Sequence, residues 1–372
     1  MALRLTAENP DPPIASTVVT GTTNGSHTVT HFIFQGFSSH RGVQGALFLL
    51  FLIDYLLTLT GNIAIVFVIR TDYRLHKPMY YLMSQLSFLE IWYTTSTMPN
   101  LLVGLLQDVK SISFPGCFTQ FYFMFSLGAV ECFLLTMMGY DRFLAICKPL
   151  HYHKLMTSQV CLFLTLSCWA VGLLWFLVPI VLISQLPFCG PNLINHFLCD
   201  RGPLMDLSCQ QDYITEVTLF TFATILGLGT FLVIVVSYVC IMSTIVMMTS
   251  ADGRHKAFST CASHLIVVSI FYGSVLFMYM RPIGKHSFSL DKVVALIYTV
   301  LTPLLNPVIY ALRNKEVKQA LKEILKSWRD CCISMLMLSC LTLTAMTPSP
   351  LLALVLEAMS SLTRKAPKYA RK

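Results

Sequence analysis

The chain has 372 residues, of which 55% are hydrophobic and only 12% charged, with a formal net charge of +8. Soluble domains carry about 25% charged residues, so this composition excludes an ordinary soluble globular protein and points to a chain that lives in lipid. The positive charge does not indicate nucleic acid, because it sits in short connectors between apolar runs: Arg70, Arg74 and Lys77; Arg142, Lys148 and Lys154; Arg254 and Lys256; Arg313, Lys315, Lys318 and Lys322. That is the positive-inside pattern, not a DNA-binding face. The thirteen cysteines are scattered, most of them inside apolar runs and none at metal-ligand spacing. The first thirty residues are polar and rich in Pro and Thr, so no cleavable signal peptide is evident and the first apolar span is expected to serve as the insertion signal.

Residues 1–42 read as an exposed, poorly ordered extracellular tail. Asn24-Gly25-Ser26 is the only Asn-x-Ser/Thr sequon, which makes Asn24 the candidate glycosylation site. Seven apolar segments follow, at about 44–69, 79–106, 117–141, 160–184, 216–249, 259–281 and 292–312, each long enough for a span of about 20 residues. The expected fold is therefore an all-α membrane protein, a seven-transmembrane helix bundle. Its receptor domain covers 43–312, a basic amphipathic helix covers 313–328, and an atypical cytoplasmic tail covers 329–372. Basic connectors one, three and five face the cytoplasm. The loop over 185–215, with Asp200, Asp206 and Asp212 against Arg201, lies outside.

In span 1, Asn62 is costly in lipid and must find a partner inside the bundle. Glu90 in span 2 and Glu131 in span 3 are carboxyls at membrane depth. The bland reading is a protonated, hydrogen-bonded core acid. The sharper one is a shared cation site, since two acids repel unless a cation or proton sits between them. Span 3 ends in Asp141-Arg142, and Arg142 needs a partner, with Asp141 the nearest candidate. Cys117, Cys189, Cys199 and Cys209 fall on the outer side, where disulfides are permitted, and four cysteines allow three pairings. His264 reads as a satisfied bundle histidine, with no second ligand at i+4. In span 7, Pro307 breaks the helical ladder and frees a carbonyl that Asn306 or water must satisfy, giving a kink with two available packings. Over 313–328, Val317, Leu321, Ile324, Leu325 and Trp328 make an amphipathic stripe suited to the inner membrane surface. The apolar run 340–356 is short for a span and is broken by Pro348 and Pro350, so it reads as peripheral or disordered.

Several strings carry a family resemblance: Leu75-His76-Lys77-Pro78-Met79-Tyr80; Tyr140 to Tyr152 (YDRFLAICKPLHY); Cys189 to Asp200 (CGPNLINHFLCD); Ser237-Tyr238; Lys256 to His264 (KAFSTCASH); and Asn306-Pro307-Val308-Ile309-Tyr310. Together they resemble the olfactory receptors, members of the rhodopsin-like G-protein-coupled receptors. The resemblance covers about 27–328 and departs at Gly139, where Ala is usual, and at Glu90, where Asp is commoner. It implies a glycan on the N-terminal tail and a Cys117–Cys199 disulfide with Cys189–Cys209 stapling the outer loop. From the residues alone Cys117–Cys209 stays open. It also implies a buried sodium-type site at Glu90 and Glu131, an eighth helix, and no resident cofactor besides that ion. Finally, it implies activation of a stimulatory heterotrimeric G protein, raising cAMP, through Asp141, Arg142, Tyr238, Asn306, Pro307 and Tyr310.

Counting back from Arg142 by helical turns puts Met124, Phe125, Gly128 and Ala129 on the inward face of span 3. Phe222 and Leu226 on span 5, Tyr272, Val275 and Tyr279 on span 6, and Thr299 on span 7 are expected to face them. The set is apolar and aromatic with a few hydroxyls, which suits a small, uncharged, lipophilic or volatile ligand held mainly by burial. A non-odorant ligand for the same fold is the first alternative. A transporter is disfavoured because internal repeats and paired helix interruptions are missing from the sequence, and no nucleophile–base set marks an enzyme.

Overall fold

The structure is a computed structural model that describes residues 21–23, 26–37, 40–188, 192–209, 212–279, 288–326 and 329, with backbone alone at 21–23, 26–28, 256, 288–289 and 310–313. It divides into two units, 1–314 and 315–372. In the first unit seven spans make the bundle. They are α1 (Arg41–Thr71), α2 (Pro78–Leu106), α3 (Phe114–Cys147), α5 with α6 (Ser158–Trp175 and Leu177–Ser184), α8 (Tyr213–Met247), α9 (Ala251–Tyr279), and α10 (Phe288–Leu296) running through a π-helical turn (Ile297–Leu301) into α11 (Thr302–Arg313). Two short connector helices, α4 (Pro149–Leu155) and α7 (Arg201–Asp206), follow spans 3 and 4. Six spans are long and apolar enough to cross a membrane by composition alone. The other, α2, has 29 residues, enough for about 43 Å at the helical rise, but it mixes Ser, Thr, Tyr and Glu among its apolar residues because so much of it faces protein.

Span 3 is the axis. Its apolar window is 72% buried, against 33% to 44% for the other five spans so measured. It packs on α2, α5 and α8. One small residue permits a close approach: a Cβ on Gly172 would lie 2.7 Å from the backbone nitrogen of Val130 and 2.9 Å from its Cα, so only glycine lets α5 sit this close to α3. Leu49, Leu50, Phe163, Leu174, Val236 and Val239 are exposed on the bundle's surface, as apolar side chains facing lipid should be.

The irregularities trace to prolines. Pro179 would drive its ring into the carbonyl of Trp175, and α5 ends at Trp175. The chain turns at Phe176 and resumes as α6. Pro303 has no N–H for the ladder, and the turn just before it widens to π, with the Thr302 hydroxyl donating to the Ile297 carbonyl at 2.9 Å.

One end of the bundle is closed by a three-stranded sheet. β3 (His31–Phe34) lies between β4 (Ser111–Ser113), antiparallel, and β5 (Leu193–Ile194), parallel. β1 (Gly21–Thr23) and β2 (Ser26–Thr28) form a separate antiparallel pair. The expectation of an exposed tail through residue 42 is corrected at 31–37. Phe32 is fully buried, with its ring 5.9 Å from Phe114 and 5.6 Å from Phe188. Alternation in His31-Phe32-Ile33-Phe34 turns both phenylalanines inward, and that burial outweighs the entropy of a free tail. Asn24, Cys189 and the segments 327–328 and 330–372 lie outside the described residues, so the sequon, one loop cysteine, Trp328 and the tail readings are not addressed by the fold. In the second unit a helix, α12, runs over 315–326, with Val317 and Ala320 buried and Leu325 exposed.

Candidate functional site

Two groups of residues stand out, one toward the sheet end and one toward the other end of the bundle. The first is a cavity of about 60 Å³. That is room for roughly four to six water molecules, the scale of a compact small molecule and not a peptide. Met124, Phe125, Gly128, Ala129, Leu226, Val275 and Tyr279 line it. Tyr93, Cys132, Phe176, Ala223, Gly227, Phe271, Leu276 and Tyr298 complete the wall.

Three residues expected to face this space do not line it. Phe222 turns its ring onto Trp175, 5.8 Å away, and its carbonyl accepts the Trp175 indole N–H at 3.2 Å. Tyr272 is drawn away by its hydroxyl, which donates to Thr230 Oγ1 at 2.9 Å. The Thr299 hydroxyl donates to the Ala295 carbonyl of its own helix at 2.6 Å. A buried hydroxyl must find an acceptor, and that need set the direction of the two polar side chains. Tyr93 sits one turn beyond Glu90 on the same face and could have been found by periodicity. Phe176 could not, because it points inward only through the break at Pro179.

The wall is aliphatic and aromatic, and two of its tyrosine hydroxyls are joined. Tyr279 donates to Asp200 Oδ1 at 3.3 Å and shares a 3.3 Å hydrogen bond with Tyr298. Phe125 meets Phe176 and Tyr279 edge-on, both at 5.3 Å. The sheet above is tied to span 3 by a Cys117–Cys199 disulfide, which removes the Cys117–Cys209 alternative. Cys209 is itself disulfide-bonded. Gln120 reinforces the attachment, its Oε1 accepting the Cys199 N–H at 3.2 Å.

At the opposite end, α3 does not stop at Arg142 but continues to Cys147, so the Asp141-Arg142 pair lies inside the helix. Arg142 donates from Nη2 to Asp141 Oδ2 at 2.7 Å, and Asp141 is 1% exposed. The second carboxylate oxygen accepts the Tyr152 hydroxyl at 2.7 Å. Burial, and then the charge of Asp141, push the Tyr152 phenol above its ordinary pKa, so it stays a donor. Tyr152 ends the string from Tyr140 to Tyr152, but its bond to Asp141 depends on how α4 folds back.

Tyr238 and His264 are joined at 2.8 Å, and His264 Nε2 lies 3.0 Å from the Leu135 carbonyl. That carbonyl can only accept, so Nε2 carries the hydrogen and Nδ1 accepts from the Tyr238 hydroxyl. Spans 5, 6 and 3 are thereby joined through one imidazole, and His264 is a satisfied bundle histidine.

Span 7 is held differently from the expectation. The carbonyl freed by Pro307 belongs to Pro303, and Asn62 Nδ2 of span 1 donates to it at 3.2 Å. Gly61 makes room: a Cβ there would lie 3.1 Å from Pro307 Cγ. Asn306 instead donates to Glu90 Oε1. The side chain of Tyr310 lies outside the described residues.

Glu90 and Glu131 are 0% and 1% exposed. Glu90 Oε2, Glu131 Oε1 and Asn306 Oδ1 are all buried without a hydrogen-bond partner among the described residues. These orphans are oxygen acceptors, a donor set that suits a small hard cation or protons on the acids. No cluster of three or more His, Cys, Asp or Glu side chains with metal-binding geometry occurs among the described residues.

Comparison with known proteins agrees with this architecture. The family model described as "Olfactory receptor" matches residues 51–328. The human protein named Olfactory receptor 11H6 is 52% identical over 299 residues, covering 80% of this chain and 91% of that relative. Human Olfactory receptor 11H12 is 51% identical over 299 residues (80% and 92%), and human Olfactory receptor 6N1 is 51% identical over 298 residues (80% and 96%). The chain therefore belongs to the olfactory receptor family, multi-pass membrane receptors of the G-protein-coupled class and not enzymes.

Proposed function

We propose that the chain binds small, uncharged, lipophilic odorants in the cavity beneath the sheet and, when they bind, activates a stimulatory heterotrimeric G protein to raise cAMP. The observation that carries this reading is the cavity walled by spans 2 to 7, whose surface is aliphatic and aromatic apart from three tyrosine hydroxyls and one thiol. Such a site holds its ligand by burial, at about 25 cal/mol per Å² of apolar surface removed from water, with one or two hydrogen bonds for orientation. The sheet end faces the outside and the Asp141-Arg142 end the cytoplasm, in keeping with the basic connectors.

Ligand shifts a pre-existing equilibrium. In the resting arrangement Arg142 is held by Asp141, and Asp141 by Tyr152. Activation frees Arg142, moves span 6 outward so that the Tyr238–His264 bond opens, and exposes a groove for a helix of the G protein. Arg142→Ala is expected to abolish ligand-evoked cAMP in a reporter screened against volatiles while surface delivery stays near wild type. A full cAMP response from that variant would contradict the mechanism.

Glu90 and Glu131 hold Na⁺ in the resting state, with the orphaned carboxylate and amide oxygens as its ligands. Glu131→Gln is expected to remove the sodium dependence of the response, and an unchanged dependence would rule the ion out.

A further inference from the structure

A second, smaller cavity of about 20 Å³ shares the Tyr279 side chain with the first. It is polar: His196, Asp200, Arg201, Asp206 and Asp291 line it, and Tyr279 belongs to the wall of both cavities. His196 is 1% exposed and Arg201 4% exposed. Each carries a buried nitrogen with no hydrogen-bond partner among the described residues, His196 Nε2 and Arg201 Nη1.

The chemistry of these two atoms is fixed. His196 Nδ1 accepts the backbone N–H of Leu198 at 3.1 Å, so the ring hydrogen is on Nε2. Burial holds the imidazole below its ordinary pKa, in the neutral form. Arg201 can only donate. Both orphans are therefore donors, and what they lack is an acceptor.

The acids nearby are already engaged. Asp200 Oδ1 accepts from the Arg201 backbone N–H at 2.7 Å and from Tyr279. Asp206 and Asp291 each have interactions of their own. Three carboxylates line the chamber against one guanidinium, and the Lys292 ammonium acts on His196 from outside the lining, so among the described residues the balance still disfavours an anion. An acceptor without charge is what fits.

Building on the lipophilic cavity proposed above, we infer that this chamber is a subsite for the neutral oxygen of the odorant, a carbonyl or hydroxyl that accepts from His196 Nε2 and Arg201 Nη1. The hydrocarbon body lies in the larger cavity, and Tyr279 marks the boundary between them. At about 20 Å³ the chamber takes one such functional group or one water molecule, not a second ring or chain. The subsite gives the receptor discrimination by functional group, which an apolar wall cannot supply: a methylene is worth little in selectivity, whereas a buried donor left unpaired is costly.

The test uses purified full-length receptor and five probes on one skeleton: octane, octanal, 2-octanone, 1-octanol and octanoate. Binding is read as the concentration dependence of thermal stabilisation, for wild type and for Arg201→Met. Octanal, 2-octanone or 1-octanol is expected to bind about tenfold or more tightly than octane, with octanoate no better than octane. Arg201→Met is expected to bring the oxygenated probes to within a few-fold of octane while octane's own affinity is unchanged. His196→Phe is the second variant, with the same expectation should Arg201→Met fail to fold. Octane binding as well as its oxygenated partners would overturn the subsite, since the chamber then holds only water, and would leave the lipophilic cavity standing. Tight octanoate binding would overturn the charge assignment and with it the subsite. No binding by any probe would overturn both readings.

Discussion

The two ends of the bundle are held by different physics. Toward the sheet, stability comes from area and one covalent tie: Phe32, Phe114 and Phe188 close the end, aliphatic and aromatic walls surround the cavity, and Cys117–Cys199 joins the outer loop to span 3. Toward the Asp141-Arg142 end, it comes from a few buried directional bonds: Arg142 to Asp141, Tyr152 to Asp141, Tyr238 to His264 and His264 to Leu135. Burial is additive and graded, so removing a methylene changes it by about 0.8 kcal/mol. A buried hydrogen bond is either made or leaves an orphan that costs about 1–3 kcal/mol. Graded recognition suits a surface that must tolerate different ligands. All-or-none bonds suit a switch, because they give two discrete states and few between.

Three substitutions put that contrast under strain. The largest effect is expected at the sheet end, where Cys199→Ser removes the covalent tie to span 3. Loss of a disulfide typically costs about 2–5 kcal/mol, so a marked fall in thermal midpoint and in surface delivery should follow. A wild-type midpoint would mean that burial alone holds that end. Next is His264→Phe, which keeps a planar ring, strands the Tyr238 hydroxyl and removes the second donor to the Leu135 carbonyl. If those bonds stabilise the resting state, basal cAMP should rise about tenfold, matching a loss of about 1.4 kcal/mol. Unchanged basal signalling would remove this imidazole from the switch. The smallest effect on the fold is expected from Gly128→Leu. A Cβ at this cavity-lining position meets no atom within 4 Å, so a larger side chain starts out into open cavity space. Ligand potency should fall about tenfold with the thermal midpoint nearly unchanged. A large loss of stability would show that the space is not a free cavity.

Much of the bundle was legible because its signal is local. Seven apolar runs needed only hydropathy and length. Their ends were less legible: α3 was expected to stop at 141 and runs to Cys147, and α9 was expected from 259 and starts at Ala251, so Asp141-Arg142 and the whole of Lys256 to His264 lie within helices. Charged and small polar residues signal a connector by composition, yet here they fit a helical turn at the edge of the bundle. The inward face of span 3 followed from periodicity, and Met124, Phe125, Gly128 and Ala129 share one cavity wall. The inward faces of spans 5 to 7 followed only in part, since Phe222, Tyr272 and Thr299 answered to nearer partners. The strand at 31–34 was missed because its partners, 111–113 and 193–194, are remote in sequence and too short to show a pattern.

The sequence by itself determined that the chain is lipid-embedded, that Asn62, Glu90 and Glu131 need partners inside the bundle, and that Pro307 leaves a carbonyl without its helical donor. Those are properties of residue chemistry and helical period, which travel with each segment. Only the tertiary structure decided who meets whom. The carbonyl that Pro307 frees is answered by Asn62, 241 positions away, while Asn306, right beside the break, turns to Glu90. The choice belongs to the rotation and tilt of whole spans, fixed by contacts such as Gly172 on Val130 and Gly61 on Pro307. No window along one helix contains that information, because the packing that sets it is shared among all of them.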